Sequence, residues 1–294
     1  FTEPEQVLER EEAALGRLYF GGEAFPVVHP VSISLVAVSA AYLGCPYRIH
    51  AGSRTGWAEP IIDRWAAALP LSFRRETAWW QTTELLLTAA SRRSGQRYAV
   101  SLPDLNGPGE LLSRLRGSER LCLDLFDDPE SVQGALEQVT SAWLEIWNAC
   151  TAILAPHVEG HVYWMGLWSD RPSIDLQCDF SSLISPEMFR AFGLNRLRPI
   201  VEAVRAAGLL SVLYYCGKPD DRWDMLIDTG ADALALEESK KHFTIDIADV
   251  AELVDGRMAL FGNVDAIGLM ESGSDAELQA EIARQCEASV RNRR

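Results

Sequence analysis

The sequence predicts an α/β protein, a (β/α)8 TIM barrel with an N-terminal helical and loop elaboration, and three observations carry that expectation. From Arg97 onward, short β-branched or apolar runs alternate with longer helical runs, the pattern of βαβ units and a parallel sheet. The strand candidates LLSVLYY, ADALAL and MALFG are apolar almost throughout, as strands covered on both faces are. Polar residues recur just after successive strands, at Asp104, Trp168–Asp170, Cys216, Glu237–Glu238 and Asn263–Asp265. In a barrel the carboxyl ends of the strands converge on one site. A dinucleotide-binding doubly wound sheet would carry G-x-G-x-x-G after its first strand, and none is present.

The elements follow in order. Thr2–Tyr19 reads as an amphipathic helix, with Thr2 as its cap and Glu5 at a capping-box spacing. Gly21–Pro70 mixes a helix-like Leu35–Leu43 with Pro- and Gly-punctuated loops, and Thr77–Ser91 is helical. These form an elaboration over about residues 1–95, packed on a barrel core over about 96–294 within a single domain. Arg97–Leu102 is strand-like, Glu110–Arg116 a short helix and Arg120–Leu125 strand-like. Asp128 caps a helix with Pro129 at its first position, running to Leu154. His161–Leu167 is a strand, and Ser185 and Pro186 open a helix that runs to Ala207. Strands at Leu209–Tyr215, Ala231–Leu236 and Met258–Gly262 alternate with helices at Arg222–Thr229, Ile245–Val254 and Ala276–Ser289. No eighth strand follows, so the barrel reads as truncated before its last strand. The start at Phe1 instead of Met reads the same way for the other end.

Of the 294 residues, 48% are hydrophobic and 23% charged, the balance of a globular protein. The longest apolar candidate, Val31–Leu43, is shorter than the roughly 18 residues a membrane span needs and contains Ser32, Ser34 and Ser39. No basic-then-apolar leader opens the chain. The net charge of −15 argues against nucleic acid, whose phosphates draw on clustered Lys and Arg, and against anionic lipid. Six cysteines, Cys45, Cys122, Cys150, Cys178, Cys216 and Cys286, are widely spaced with no CxxC. A chain this long builds its own core without a disulfide framework, and reducing cytoplasm is the expected compartment.

Four short motifs stand in a fixed order: Ser185–Phe189 (SPEMF), Tyr214–Pro219 (YYCGKP), Gly230–Leu236 (GADALAL) and Phe261–Ala266 (FGNVDA). Together they resemble the uroporphyrinogen decarboxylase superfamily over roughly residues 160–290. The resemblance implies a (β/α)8 barrel and an activity among the uroporphyrinogen decarboxylases and the methyltransferases that act on corrinoid proteins or coenzyme M. The zinc-dependent methyltransferases of this superfamily carry His-x-Cys-Gly where this chain has Tyr214, Tyr215, Cys216 and Gly217. They also take a further Cys from the last strand. The decarboxylases use an Arg-rich N-terminal segment and a Phe-Ser-Asp motif, and neither is found here.

Cys216, on a strand-to-loop turn before Gly217, is the metal candidate, because a thiolate there suits zinc; the other reading is a buried structural thiol. Glu237 and Glu238 directly follow ADALAL and point to opposite faces of a strand. One aimed into the barrel mouth serves as metal ligand or general acid/base; otherwise one is solvated and one pairs with Lys240 or Lys241. Asp265 is the third catalytic candidate and equally a helix cap. Substrate contacts are expected from Asp104, Trp168, Asp179, Tyr214, Tyr215 and Asn263. Asp179 and Cys178, with Asp175 nearby, could join Cys216 and one of the two Glu residues in a mixed S/O site. Asp104 is equally a turn former before Asn106 and Gly107, and Asn263 could support its own turn. Trp164, Trp168, Tyr214 and Tyr215 either wall a pocket for a flat or methylated ligand or pack in the core. Trp79, Trp80, Trp143 and Trp147 read as packing. His29, His50, His157, His161 and His242 show no metal spacing and read as structural or surface residues.

The leading functional expectation is a methyltransferase. It would move a methyl group between a corrinoid protein or methylated small molecule and a thiol or related acceptor, with zinc at Cys216 and the corrinoid carried by a partner protein. One alternative is a cofactor-free decarboxylase of uroporphyrinogen or another polycarboxylate, with Arg54, Arg171 and Arg222 as its cations. Another is a non-catalytic barrel that binds a small molecule. A small-molecule substrate is expected, nucleic acid and membrane are not, and a homodimer is left open. All of this requires the sulfur of Cys216 to lie beside the carboxylates at 237 and 238 on a common rim.

Overall fold

The computed structural model describes every residue except Phe1, Ile33, Ala51, Arg54, Leu69, Asp220, Lys241, His242, Arg293 and Arg294, together with the side chains of Ser181, Phe192, Arg291 and Asn292. Arg54, Lys241 and His242, named above, therefore lie outside the described residues. The chain divides into two compact units, Phe1–Asp175 and Leu176–Arg294.

In the first unit α1 (Pro4–Leu15) starts from Glu3, which makes no side-chain cap, so the expected Thr2 capping box is not formed. Pro4 opens the first turn instead, where a missing N–H leaves no helical bond unmade. Next come β1 (Val27–Val28), α2 (Val38–Tyr42), the antiparallel pair β2 (Tyr47–Ile49) and β3 (Gly56–Ala58), and α3 (Trp65–Ala68). α4 (Ala78–Ser94) is capped by Thr77, whose Oγ1 accepts from the Trp80 amide at 3.4 Å. β4 (Ala99–Val100) pairs parallel with β1, and Ser101 bridges on to Val162. α5 (Pro108–Arg116), α6 (Ser118–Asp127) and α7 (Pro129–Leu154) follow. The expected strand at Arg120–Leu125 is thus helical. Its buried residues Leu121, Asp124 and Leu125 keep the i, i+3, i+4 spacing that lays α6 on α7, a pattern the alternation in RLCLDL disguises. The core gathers Trp80, Trp143 and Tyr42, all fully covered, with Tyr42 and Phe73 edge-on to Trp80 at 5.5 and 4.6 Å.

The strand expected over His161–Leu167 ends early. β5 (His161–Val162) turns back into β6 (Trp168–Ser169) as an antiparallel hairpin. Gly166 takes φ +80° in that turn and its amide bonds to the Tyr163 carbonyl at 2.8 Å.

β7 (Ser173–Gln177) lies at the unit boundary, and a 3-10 turn (Asp179–Leu183) follows it. Ser185 caps α8 (Pro186–Met188) as expected, accepting from the Met188 amide at 3.2 Å, and the helix continues through a π-helical stretch, Phe189–Leu194, into α9 (Asn195–Ala206). Then come β8 (Leu210–Tyr214), α10 (Trp223–Ile227), β9 (Ala233–Ala235), α11 (Ile247–Val254), β10 (Ala259–Phe261), a π-helical turn (Ala266–Glu271) and α12 (Asp275–Asn292). The sheet order is β10-β9-β8-β7, with β8, β9 and β10 mutually parallel. Register aligns Tyr214, Ala235 and Phe261 in one row. Among the described residues no helix is long and apolar enough to cross a membrane.

Candidate active site

That register explains why distant residues meet. Cys216, Glu237 and Asn263 each lie two positions beyond the aligned row, so three neighbouring chains present them at the same edge of the parallel sheet. Cys216 donates its thiol hydrogen to Glu237 Oε2 at 2.6 Å. The Cys216 amide donates to Asp179 Oδ1 at 3.0 Å, which ties the end of β8 to the turn after β7. Gly217 permits this approach: a side chain there would crowd Ser182 and the Tyr215 ring. Two carboxylates thus converge on one cysteine, one on its amide and one on its sulfur, and Glu237 is only 7% exposed.

Tyr214 belongs to the same group. Burial, with Cys216, Glu237 and Asp179 nearby, pushes its phenol well above the usual tyrosine range, and it hydrogen-bonds to Cys216. It is therefore a protonated hydroxyl at neutral pH. Tyr215 lies among different neighbours, Arg222 and Cys178, with burial pushing its phenol up to about 12, and among the described residues its buried hydroxyl has no hydrogen-bond partner. Asn263 Nδ2 donates to the carbonyls of Glu237 at 3.1 Å and Ile245 at 3.0 Å.

Glu238 and Asp265 have another occupation. Glu238 Oε2 accepts from the Ala266 amide at 3.1 Å, and Asp265 Oδ1 accepts from the Gly268 amide at 2.8 Å. Both serve the start of the turn Ala266–Glu271, where unpaired amides call for acceptors. The cap reading of Asp265 is the observed one, and Glu238 joins it there.

Asp104 and Trp168 sit in the first unit. Asp104 Oδ1 accepts from the Asn106 amide at 2.9 Å and its carboxamide at 3.3 Å, making the turn. Trp168 is 53% exposed on the β5–β6 hairpin, lying over Gly160. Asp175 accepts from Trp164 Nε1 at 2.6 Å. Cys178 is buried, its thiol directed at the Tyr214 carbonyl. The motif reading missed one pair: His29 Nδ1 and Ser101 Oγ, 2.8 Å apart, just beyond the ends of β1 and β4. Burial pulls the His29 pKa down, keeping the ring neutral. Its position directly after the run Phe25–Val28 was the available signal.

Zinc takes sulfur and carboxylate oxygen ligands, and the contact between Cys216 and Glu237 offers one of each. The donor set suits that metal through this pair. Among the described residues no group of three His, Cys, Asp or Glu side chains forms a metal site on its own.

The model of the family described as uroporphyrinogen decarboxylase (URO-D) matches residues 174–294. Among solved structures, the chain is similar to a methyltransferase from Methanosarcina mazei at 19% identity and a TM-score of 0.72, over 98% of this chain and 77% of that one. At that identity the likeness shows the fold, the uroporphyrinogen decarboxylase-like α/β barrel expected from the motifs. No curated protein matches the chain. Over residues 174–294 the chain is thus similar to the uroporphyrinogen decarboxylase family, and over nearly its whole length it shares the fold of that methyltransferase.

Proposed function

We propose that the chain is a uroporphyrinogen decarboxylase-like enzyme that moves a methyl group between a corrinoid protein or methylated small molecule and a thiol or related acceptor. The observation that carries this reading is the 2.6 Å contact between the Cys216 thiol and the Glu237 carboxylate at the carboxyl edge of a parallel sheet. Cys216 and Glu237 would hold zinc, which keeps an acceptor thiol ionised at neutral pH when bound. The chain's own groups prepare the place. Asp179 accepts from the Cys216 amide, anchoring the backbone that carries the thiol. Tyr214 offers a protonated hydroxyl at the position where the related zinc enzymes carry His. A corrinoid on a partner protein would supply the methyl group.

The alternative reading is a decarboxylase. It requires cations facing the substrate, but Arg222 donates to the Ile184 carbonyl at 2.9 Å, lies over the Phe189 ring and pairs with Asp221. Its guanidinium braces the chain from within, at 7% exposure.

The test is direct. Purified protein is analysed for zinc, then mixed with methylcobalamin and a small thiol while the corrinoid spectrum is followed. Bound zinc and thiol-dependent demethylation, both lost in Cys216→Ala, are expected. A metal-free protein inert toward methylcobalamin overturns the reading.

A further inference from the structure

Asn263 is 3% exposed, and its carboxamide is used asymmetrically. The nitrogen donates to two backbone carbonyls, those of Glu237 and Ile245, at the two ends of the loop between β9 and α11. The backbone of Asn263 adds a third tie, its carbonyl accepting from the Ser239 amide at 3.0 Å, and Ser239 in turn accepts from the Ile245 amide at 3.0 Å. Among the described residues the buried carboxamide oxygen has no hydrogen-bond partner. What the residue contributes is one N–H bond that holds the Glu237 peptide and a second that ties it to the Ile245 peptide at the other end of the loop.

We infer that Asn263 is a positioning residue: it clamps the end of β9 so that the Glu237 carboxylate meets the Cys216 sulfur. It does not itself touch the reacting atoms. This deepens the function proposed above and rests on its reading of the Cys216–Glu237 pair. The physical reason is that a carboxylate on a free loop end samples many orientations, whereas one whose backbone carbonyl is bonded to a buried neighbour is aimed. Outer partners of this kind, when removed, typically weaken metal sites by roughly 10–100-fold.

Two measurements on the full chain test it. In the first, cobalt(II) is titrated into wild type, Asn263→Ala, Glu237→Gln and the double variant, with the thiolate-to-cobalt absorption band as the readout. In the second, which needs no metal, the rate of iodoacetamide labelling at Cys216 is followed by peptide mass in the same four proteins. The expected result is a roughly 10–100-fold loss of cobalt affinity in Asn263→Ala. Its Cys216 labelling rate should move in the same direction as in Glu237→Gln. In the Glu237→Gln background the Asn263 change should add nothing to either readout. Asn263→Ser is the milder variant should the alanine form fail to fold. Wild-type behaviour of the Asn263 variants, or an equal effect with and without Glu237, overturns the inference. Failure of wild type to take up cobalt overturns the zinc reading instead, and the labelling cycle then decides the role of Asn263 by itself.

Discussion

Replacing Glu12 with glutamine removes one charge from the junction of α1 with α4 and should cost the first unit about 1–2 kcal/mol near neutral pH. Glu12 is held by Arg93 through two bonds, 3.0 Å from Nε and 2.7 Å from the terminal nitrogen, by the Tyr98 hydroxyl at 2.9 Å and by Arg97 at 3.1 Å. The Arg93 bonds are the main reason its carboxyl is pulled from 4.5 to about 2, with burial opposing them and Tyr98 and Arg97 assisting. At about 1.36 kcal/mol per pH unit, that difference sets a ceiling of about 3 kcal/mol. The side chains of Arg93 and Arg97 are 35% and 60% exposed, so solvent screens part of it, leaving the smaller figure. The sign follows from the depressed pKa. The contribution is complete above 4.5 and disappears as pH falls toward 2. Urea unfolding followed by tryptophan fluorescence reports this unit, because every tryptophan except Trp223 lies in it. Wild type should lose this increment between pH 4.5 and 2, while Glu12→Gln starts lower and lacks that share of the slope. Equal stability of the two proteins at pH 7 would refute the reasoning.

Other consequences can be measured separately. Trp143→Ala empties a fully covered core position and should cost about 3–5 kcal/mol in the same unfolding assay. Trp143→Phe should cost far less, since it keeps most of the buried ring and deletes an indole N–H that has no partner among the described residues. Asp246→Ala removes the cap of α11, 2.9 Å from the Ala248 amide, and the ion pair with Arg284 at 2.7 Å. A loss of about 1 kcal/mol is expected, shrinking as pH falls below the ordinary aspartate range, because Arg284 holds that carboxyl below it. Tyr214→His restores the His-x-Cys-Gly pattern and should tighten zinc roughly tenfold, about 1.4 kcal/mol, by competition with a chelating dye. Unchanged affinity would refute a place for position 214 at the proposed zinc site.

Much of this was legible from residue order because it depends on neighbours along the chain. Asp128 before Pro129 and Ser185 before Pro186 carry their own caps, and both helices start there. The apolar runs of β8 and β9 announce strands buried on both sides, and the burial agrees. Where two periods fit the same letters, as in RLCLDL, local chemistry could not choose; packing against α7 made the segment a helix. The hairpin at Gly166 likewise emerged only with its partner strand in place.

For the site, residue types nominated Cys216, Glu237, Glu238 and Asp265 together. Which carboxylate faces the sulfur is a matter of register, and register is set by the hydrogen bonds between β8, β9 and β10. Those bonds bring Glu237 to Cys216 and leave Glu238 and Asp265 to the amides of the next turn. A linear chain specifies which groups exist and which local turns they favour. Contact between groups far apart along it comes only when strands align, because a shift of one residue turns every side chain to the opposite face.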